Sequence, residues 1–146
     1  MSRQNIEAAE RLVAALNERD VDGYLACCTD DVQVRTPWAP VEGTYEGRQA
    51  IRRFFADLDD ALPDFRLSIE RAEAVGAARV LLLLQASVSG RASGIPVAAM
   101  RGGVRDASGG GYLRTATICD FTDGKIASVR VFLDRAEALE AAGLQE

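Results

Sequence analysis

The sequence predicts an α+β fold, with helices gathered on one face of a curled antiparallel sheet. Three observations predict it. Two helical stretches, a strand and a third helix come first, and the second half of the chain is almost all short alternating runs. Asp123-Gly124 stands between two such runs, a strong hairpin signal. The length of 146 residues is that of one domain, residues 1–146, long enough to bury a real core without staples.

In the first helix Ile6, Ala9, Leu12, Val13 and Leu16 recur at helical spacing, while Glu7, Glu10, Arg11 and Glu18 take the other face. Asp20 is placed to cap a short second helix with Tyr24, Leu25 and Cys28 inside, closed by Asp30-Asp31. Val32 to Thr36 alternates with period two and reads as a strand. Pro37, Pro40 and Gly43 then mark a loop that carries Trp38. Gly47 precedes a helix with Ile51, Phe54, Phe55, Leu58 and Leu62 on one stripe, stopped by Pro63.

Phe65, Leu67 and Ile69 alternate with polar residues, the pattern of a strand with one wet face. Val80 to Leu84 is apolar on both faces, so that strand is expected in the middle of the sheet, and Gln85, Ser87 and Ser89 then make one face polar. Gly90 to Gly94 reads as a hairpin loop, Pro96 as the entry to an edge strand, and 102–111 as a flexible loop. Two alternating strands, Tyr112 to Phe121 and Ile126 to Asp134, flank the Asp-Gly turn. Ala136, Leu139 and Ala142 form a short last helix, capped by Asp134 and ended by Gly143.

Composition narrows the function. Seventeen basic and 22 acidic residues leave a net charge of −5, without the basic footprint that nucleic acid or an anionic membrane would select. The chain has no histidine, which removes Ser-His-Asp and Cys-His nucleophile arrangements, histidine-ligated metals and a histidine pH switch. Cys27, Cys28 and Cys119 are an odd set with two neighbours, so they read as free thiols. Glycines 109 to 111 lack the strand–loop–helix setting of a phosphate loop, and no cofactor is expected. Met1-Ser2-Arg3-Gln4-Asn5 leads into a charged helix rather than an apolar signal core, and no apolar run approaches the ~20 residues of a membrane span. A cytoplasmic location is the expectation.

The ordered set Arg19-Asp20-Val21-Asp22-Gly23-Tyr24-Leu25, Thr29-Asp30-Asp31-Val32 and Tyr45-Glu46-Gly47-Arg48 resembles the nuclear-transport-factor-two-like superfamily, in its SnoaL-like branch. Ile51, Phe54-Phe55, Asp123-Gly124-Lys125-Ile126 and the run Val131 to Leu139 extend the resemblance over nearly the whole chain. It implies a curved antiparallel sheet forming a cone closed by the N-terminal helices, a cystatin-like α+β barrel, around an apolar cavity. It also implies a homodimer through the outer sheet face.

That superfamily includes ketosteroid isomerases, polyketide cyclases, epoxide hydrolases, dehydratases and members that only bind or dimerise, so the site must decide. Carried over residue by residue, the isomerase base falls on Thr36, its oxyanion tyrosine on Leu12 and its partner acid near Thr117. The Asp-Arg-Asp set of the epoxide hydrolases falls near Ser87, Gln85 and Val131, and the cyclase histidine has no counterpart. None of that equipment is present.

If Thr36 faces the cavity, alternation turns Val32 and Val34 inward with it and Arg35 away. The same rule puts Leu113, Thr115, Thr117, Cys119 and Phe121 inside, with Arg114, Ile118 and Asp120 outside. On the last strand Val129, Val131 and Leu133 turn in, and Arg130, Phe132 and Asp134 turn out. The candidate ligand pocket is therefore Val34, Thr36, Ser87, Thr115, Thr117, Cys119 and Val131, with Trp38, Tyr45, Phe55 and Met100 as apolar contacts. Asp120, expected to face Arg130 across the hairpin, and Tyr112 are the candidate catalytic groups, with Arg114 or Arg35 to stabilise negative charge. Three functions stay open: an isomerase- or cyclase-type enzyme on an apolar ring-containing, polyketide- or steroid-like metabolite, a non-catalytic binding protein for a small apolar ligand, and a plain dimerisation module.

Overall fold

The computed structural model of the chain describes residues 2–37, 43–88, 103–105 and 111–143. The first helix, α1 (Ser2–Asn17), buries Ala9, Leu12, Val13 and Leu16 of the predicted stripe, with Ile6 partly buried and Ala8 and Ala15 buried beside them. A tight corner at Arg19 (φ 58°) leads into α2 (Val21–Ala26), capped by the Asp20 carboxylate, which accepts from the Gly23 N–H at 3.0 Å. Strand β1 (Cys28–Thr36) starts four residues earlier than expected, so Thr29, Asp30 and Asp31 are strand rather than the end of a helix. The early part pairs with a neighbour across an irregular register between Cys28 and Gln33, which period-two reading does not detect.

Residues 43–46, expected in a loop, form strand β2 (Gly43–Glu46). Only Tyr45 is buried in it, so the pattern is too short to register. Antiparallel pairing with β1, Tyr45 opposite Val34, makes it a strand. Helix α3 (Arg48–Ala61) follows Gly47, whose φ of 86° suits only glycine comfortably, and buries Ile51, Phe54, Phe55 and Leu58. Strands β3 (Arg66–Ala74) and β4 (Arg79–Val88) turn through Gly76, and a bulge lies between Ile69 and Arg71.

Gly103–Arg105, read from sequence as loop, is strand β5, antiparallel to β6 (Gly111–Thr122). The expected loop at 90–94 and the strand entry at Pro96 lie outside the described residues. β6 meets β7 (Lys125–Phe132) through Asp123 (φ 52°) and Gly124 (φ 81°), the two positive φ values of the predicted hairpin turn. Helix α4 (Arg135–Ala141) ends the described chain. The Asp134 carboxylate accepts from Ala136 N–H at 2.8 Å, and Gly143 follows in the left-handed conformation.

The strands form one curved, unclosed sheet in the order β2-β1-β7-β6-β4-β3, with β5 on the side of β6. One pairing departs from the antiparallel expectation: β1 and β7 run parallel. They are far apart in sequence, so no hairpin imposes their direction. β4 lies between β3 and β6, as its doubly apolar run predicts.

Alternation gives the sheet two cores. Val80, Leu82 and Leu84 of β4 join Val32, Val34, Leu113, Cys119 and Val129 against α1 and α3 on the inner face. Leu81, Ala116 and Ile118 point the other way and are covered by Ala138 and Ala142 of α4, with Leu139 partly buried beside them.

Arginines hold α4 down at both ends. Arg135 donates to the carbonyls of Thr115 (3.1 Å) and Leu84 (2.8 Å) and to the Glu70 carboxylate (2.6 Å). Arg79 reaches the carbonyl of Ala141, at the other end, at 3.4 Å. The hydrogen bond from Arg135 holds the Glu70 carboxyl below its ordinary pKa. A depressed carboxyl contributes stability that is present above its unfolded pKa and lost as pH falls through the folded value. The wild type should therefore be more stable than Glu70→Gln at neutral pH, with the difference shrinking toward zero on acidification below the usual carboxylate range. Urea unfolding of both proteins across pH measures it.

Candidate functional site

Between the inner sheet face and the helices lies a recess whose walls come from most of the chain. α1 supplies Leu16, α3 supplies Phe54 and Leu58, Phe65 comes from the turn just before β3 and Leu67 from its start. The sheet supplies Thr36, Leu84, Thr115, Thr117 and Val131. These positions converge because each strand sends every second side chain inward. About 40 Å³ of the recess is wide enough for water, room for about three molecules.

Two side chains fix the helical wall by satisfying backbone groups. The Asn17 carboxamide donates to the Leu67 carbonyl and accepts from the Leu67 N–H, both at 2.8 Å. Arg19 donates to the carbonyls of Leu16 (2.8 Å), Phe65 (3.1 Å), Leu62 (3.2 Å) and Pro63 (3.3 Å), and to Asp59 at 3.3 Å. Leu16, Phe65 and Leu67, three of the wall residues, are thus tied by their main chains to one corner of the molecule.

Four of the pocket residues read from sequence line the recess: Thr36, Thr115, Thr117 and Val131. Val34 and Cys119 face the same way but are closed into the core beside it, at 1% and 0% exposure. Phe55 is buried edge-on against Tyr24, with ring centres 5.1 Å apart. Tyr45 packs on Phe54 at 5.1 Å under the Arg53 guanidinium, and its hydroxyl donates to Asp57 at 3.0 Å. Burial first, and the bond to Asp57 second, push the Tyr45 phenol up.

The remaining expectations part from the geometry. Ser87 alternates with the inward Leu84 and Ala86 and lies on the opposite face, so it does not reach the recess. Asp120 is on the outer face too. It accepts from Arg79 at 2.7 Å and from Arg130, the partner expected across the hairpin, at 3.2 Å. Its position supports the Arg79 that holds the end of α4. Tyr112 occupies the β6 position opposite Ser87 and Val104. Trp38 and Met100 lie outside the described residues.

Sequence reasoning left out Leu16, Phe54, Leu58, Phe65, Leu67 and Leu84 as pocket residues. Their signal was apolar periodicity, which marks the inner side of an element but does not tell a filled core from a lined space. Among the described lining residues none carries a charge or titrates near neutral pH. The recess can hold apolar surface and offer hydroxyls, but it brings no acid–base pair together. No cluster of potential metal ligands occurs among the described residues.

Deeper in the same core stand Tyr24, Cys28 and Cys119. Burial pushes both thiols up to about 12, and burial with the nearby cysteines pushes the Tyr24 phenol up as well. Cys27 alone is half-exposed. The native protein should therefore release about one equivalent with a thiol-specific chromogenic reagent at pH 8, and three after denaturation. Rapid release of three equivalents from the folded chain would contradict this burial.

Known proteins share this architecture. A SnoaL-like domain model matches residues 9–129. The fold is similar to that of TerC, co-crystallised with polyporic acid, at 23% identity and a TM-score of 0.71, covering 96% of this chain and 98% of that one. It is similar to a ketosteroid isomerase-like fold protein from Catenulispora acidiphila in complex with trimethylamine, at 16% identity, TM-score 0.67, and 95% and 94% coverage. SalBIII, an epoxide hydrolase/cyclase-like enzyme in pyran ring formation of the polyether salinomycin, matches at 22% identity, TM-score 0.65, and 89% and 90% coverage. No curated protein matches the chain significantly. The domain match spans most of the sequence, from within α1 into β7, and the chain belongs to the SnoaL-like family.

Proposed function

We propose that the protein holds a small apolar, ring-containing molecule in the recess between its sheet and helices, as a binding protein. The observation that carries this reading is the lining: apolar side chains, two aromatic rings and three threonine hydroxyls, with no titratable group among them. A ring is larger than the present free space, so Phe54 or Phe65 turns aside when it enters. The fold's likeness to TerC, which was co-crystallised with a small organic acid named polyporic acid, supports a pocket reading.

A second reading, an isomerase- or cyclase-type enzyme, has one observation in its favour. Tyr45 packs on Phe54, a lining residue, and donates to Asp57, so a phenol–carboxylate pair of the kind proton transfer needs stands one side chain away from the lining. In this reading turnover of a bound ring compound is lost in Tyr45→Phe, and a rate that survives the substitution removes it. A homodimer through the outer sheet face, which the family resemblance implies, would include α4 in its contact.

The binding reading predicts a thermal shift. A ligand at about 100 times its Kd adds about 2.7 kcal/mol, which raises Tm by about 5–10 °C in a domain of this size. A panel of neutral mono- and bicyclic ring compounds read by differential scanning fluorimetry tests it. A panel without a single concentration-dependent shift would count against any ligand in this recess.

A further inference from the structure

We propose that Thr115 and Thr117 make the recess selective for an uncharged ring compound that carries two oxygen atoms; this rests on the pocket reading above. The two residues are separated by one position on β6, so their side chains share the inner face about 6–7 Å apart. They are 1% and 5% exposed, and both line the recess. Among the described residues no hydrogen bond engages either hydroxyl. Each offers one donor and two acceptor positions, so it can meet a ligand carbonyl or a ligand hydroxyl. A buried hydroxyl facing apolar walls gains most from a ligand that supplies the missing oxygen and least from a hydrocarbon.

Charge is excluded by the same geometry. Two cations stand beside these threonines on the other side of the sheet: Arg114, next to Thr115 on β6, pairs with Glu70 at 3.6 Å, and Arg135 spends its donors on the Thr115 and Leu84 carbonyls and on Glu70. A carboxylate entering the recess would shed its water and find no cation on the described lining. Phe54 and Phe65 supply flat apolar contact for the ring between the two oxygens.

Four probes of one size isolate these features: 4-hydroxyacetophenone with two oxygens and no charge, 4-ethylphenol with one, 4-ethyltoluene with none, and 4-hydroxybenzoate with a charge. At about pH 6 the first three are neutral and the benzoate is ionised. Isothermal calorimetry on the full chain should place 4-hydroxyacetophenone about tenfold tighter than 4-ethylphenol and about a hundredfold tighter than 4-hydroxybenzoate. The double substitution Thr115→Val and Thr117→Val keeps the shape of both side chains. It should cost 4-hydroxyacetophenone about tenfold while leaving 4-ethyltoluene as tight or tighter. If the benzoate binds as well as the ketone, or the double variant keeps the wild-type preference, the selectivity is overturned while the pocket stands. If none of the four binds, 4-ethyltoluene included, the pocket reading itself falls and takes the selectivity with it.

Discussion

Period-two alternation in a sheet covered on both faces is the constraint on which the rest of this molecule depends. In β4 and β6 neither parity is free to face water along the middle of the strand. Leu82 and Leu84 press on α1 and α3, while Leu81, with Ile118 of β6, presses on α4. A slip of one residue would bring Asp120 into the apolar interior and Cys119 under α4, with a buried charge as the penalty. The register is therefore strongly specified, and with it the identity of every group that reaches the cavity.

The same constraint explains the division of chemistry between the two faces. Described charges in the sheet centre gather on the outer face, where Asp120 joins Arg79 and Arg130, and Glu70 joins Arg135 and Arg114. These groups keep water, and Arg79 and Arg135 among them satisfy main-chain carbonyls where α4 meets the sheet. Among the described residues the polar groups of the inner face are hydroxyls and thiols, whose burial costs less than that of a charge. A cavity made this way is suited to recognition by shape and by neutral hydrogen bonds.

Arg19 and Asn17 do for the helical wall what the charge clusters do for α4. The corner after α1, the turn after α3 and the start of β3 all present main-chain groups with no regular partner, and these two side chains take several of them. That tethering keeps Leu16, Phe65 and Leu67 in place around a space that packing alone would tend to close.

Much of this architecture is legible in the amino-acid sequence. The helix stripes, the doubly apolar β4, the Asp123-Gly124 turn, the Asp20 and Asp134 caps and the inward set on β6 all rest on local chemistry that a sequence displays directly. Thr36, Thr115, Thr117 and Val131 follow from alternation once one residue is placed. Beyond local reach are the short strands β2 and β5, the early start of β1 and the parallel pairing of β1 with β7, since each exists only through a distant partner. Ser87 is misplaced by alternation for a related reason: a polar residue on a strand does not say whether it faces a hydroxyl-lined cavity or the outer surface. The sequence by itself determined which residues alternate, where the chain turns and that no histidine chemistry operates. Only the tertiary structure decided which parity faces the cavity, because that depends on which face of the sheet each helix covers, and α4 covers the outer one.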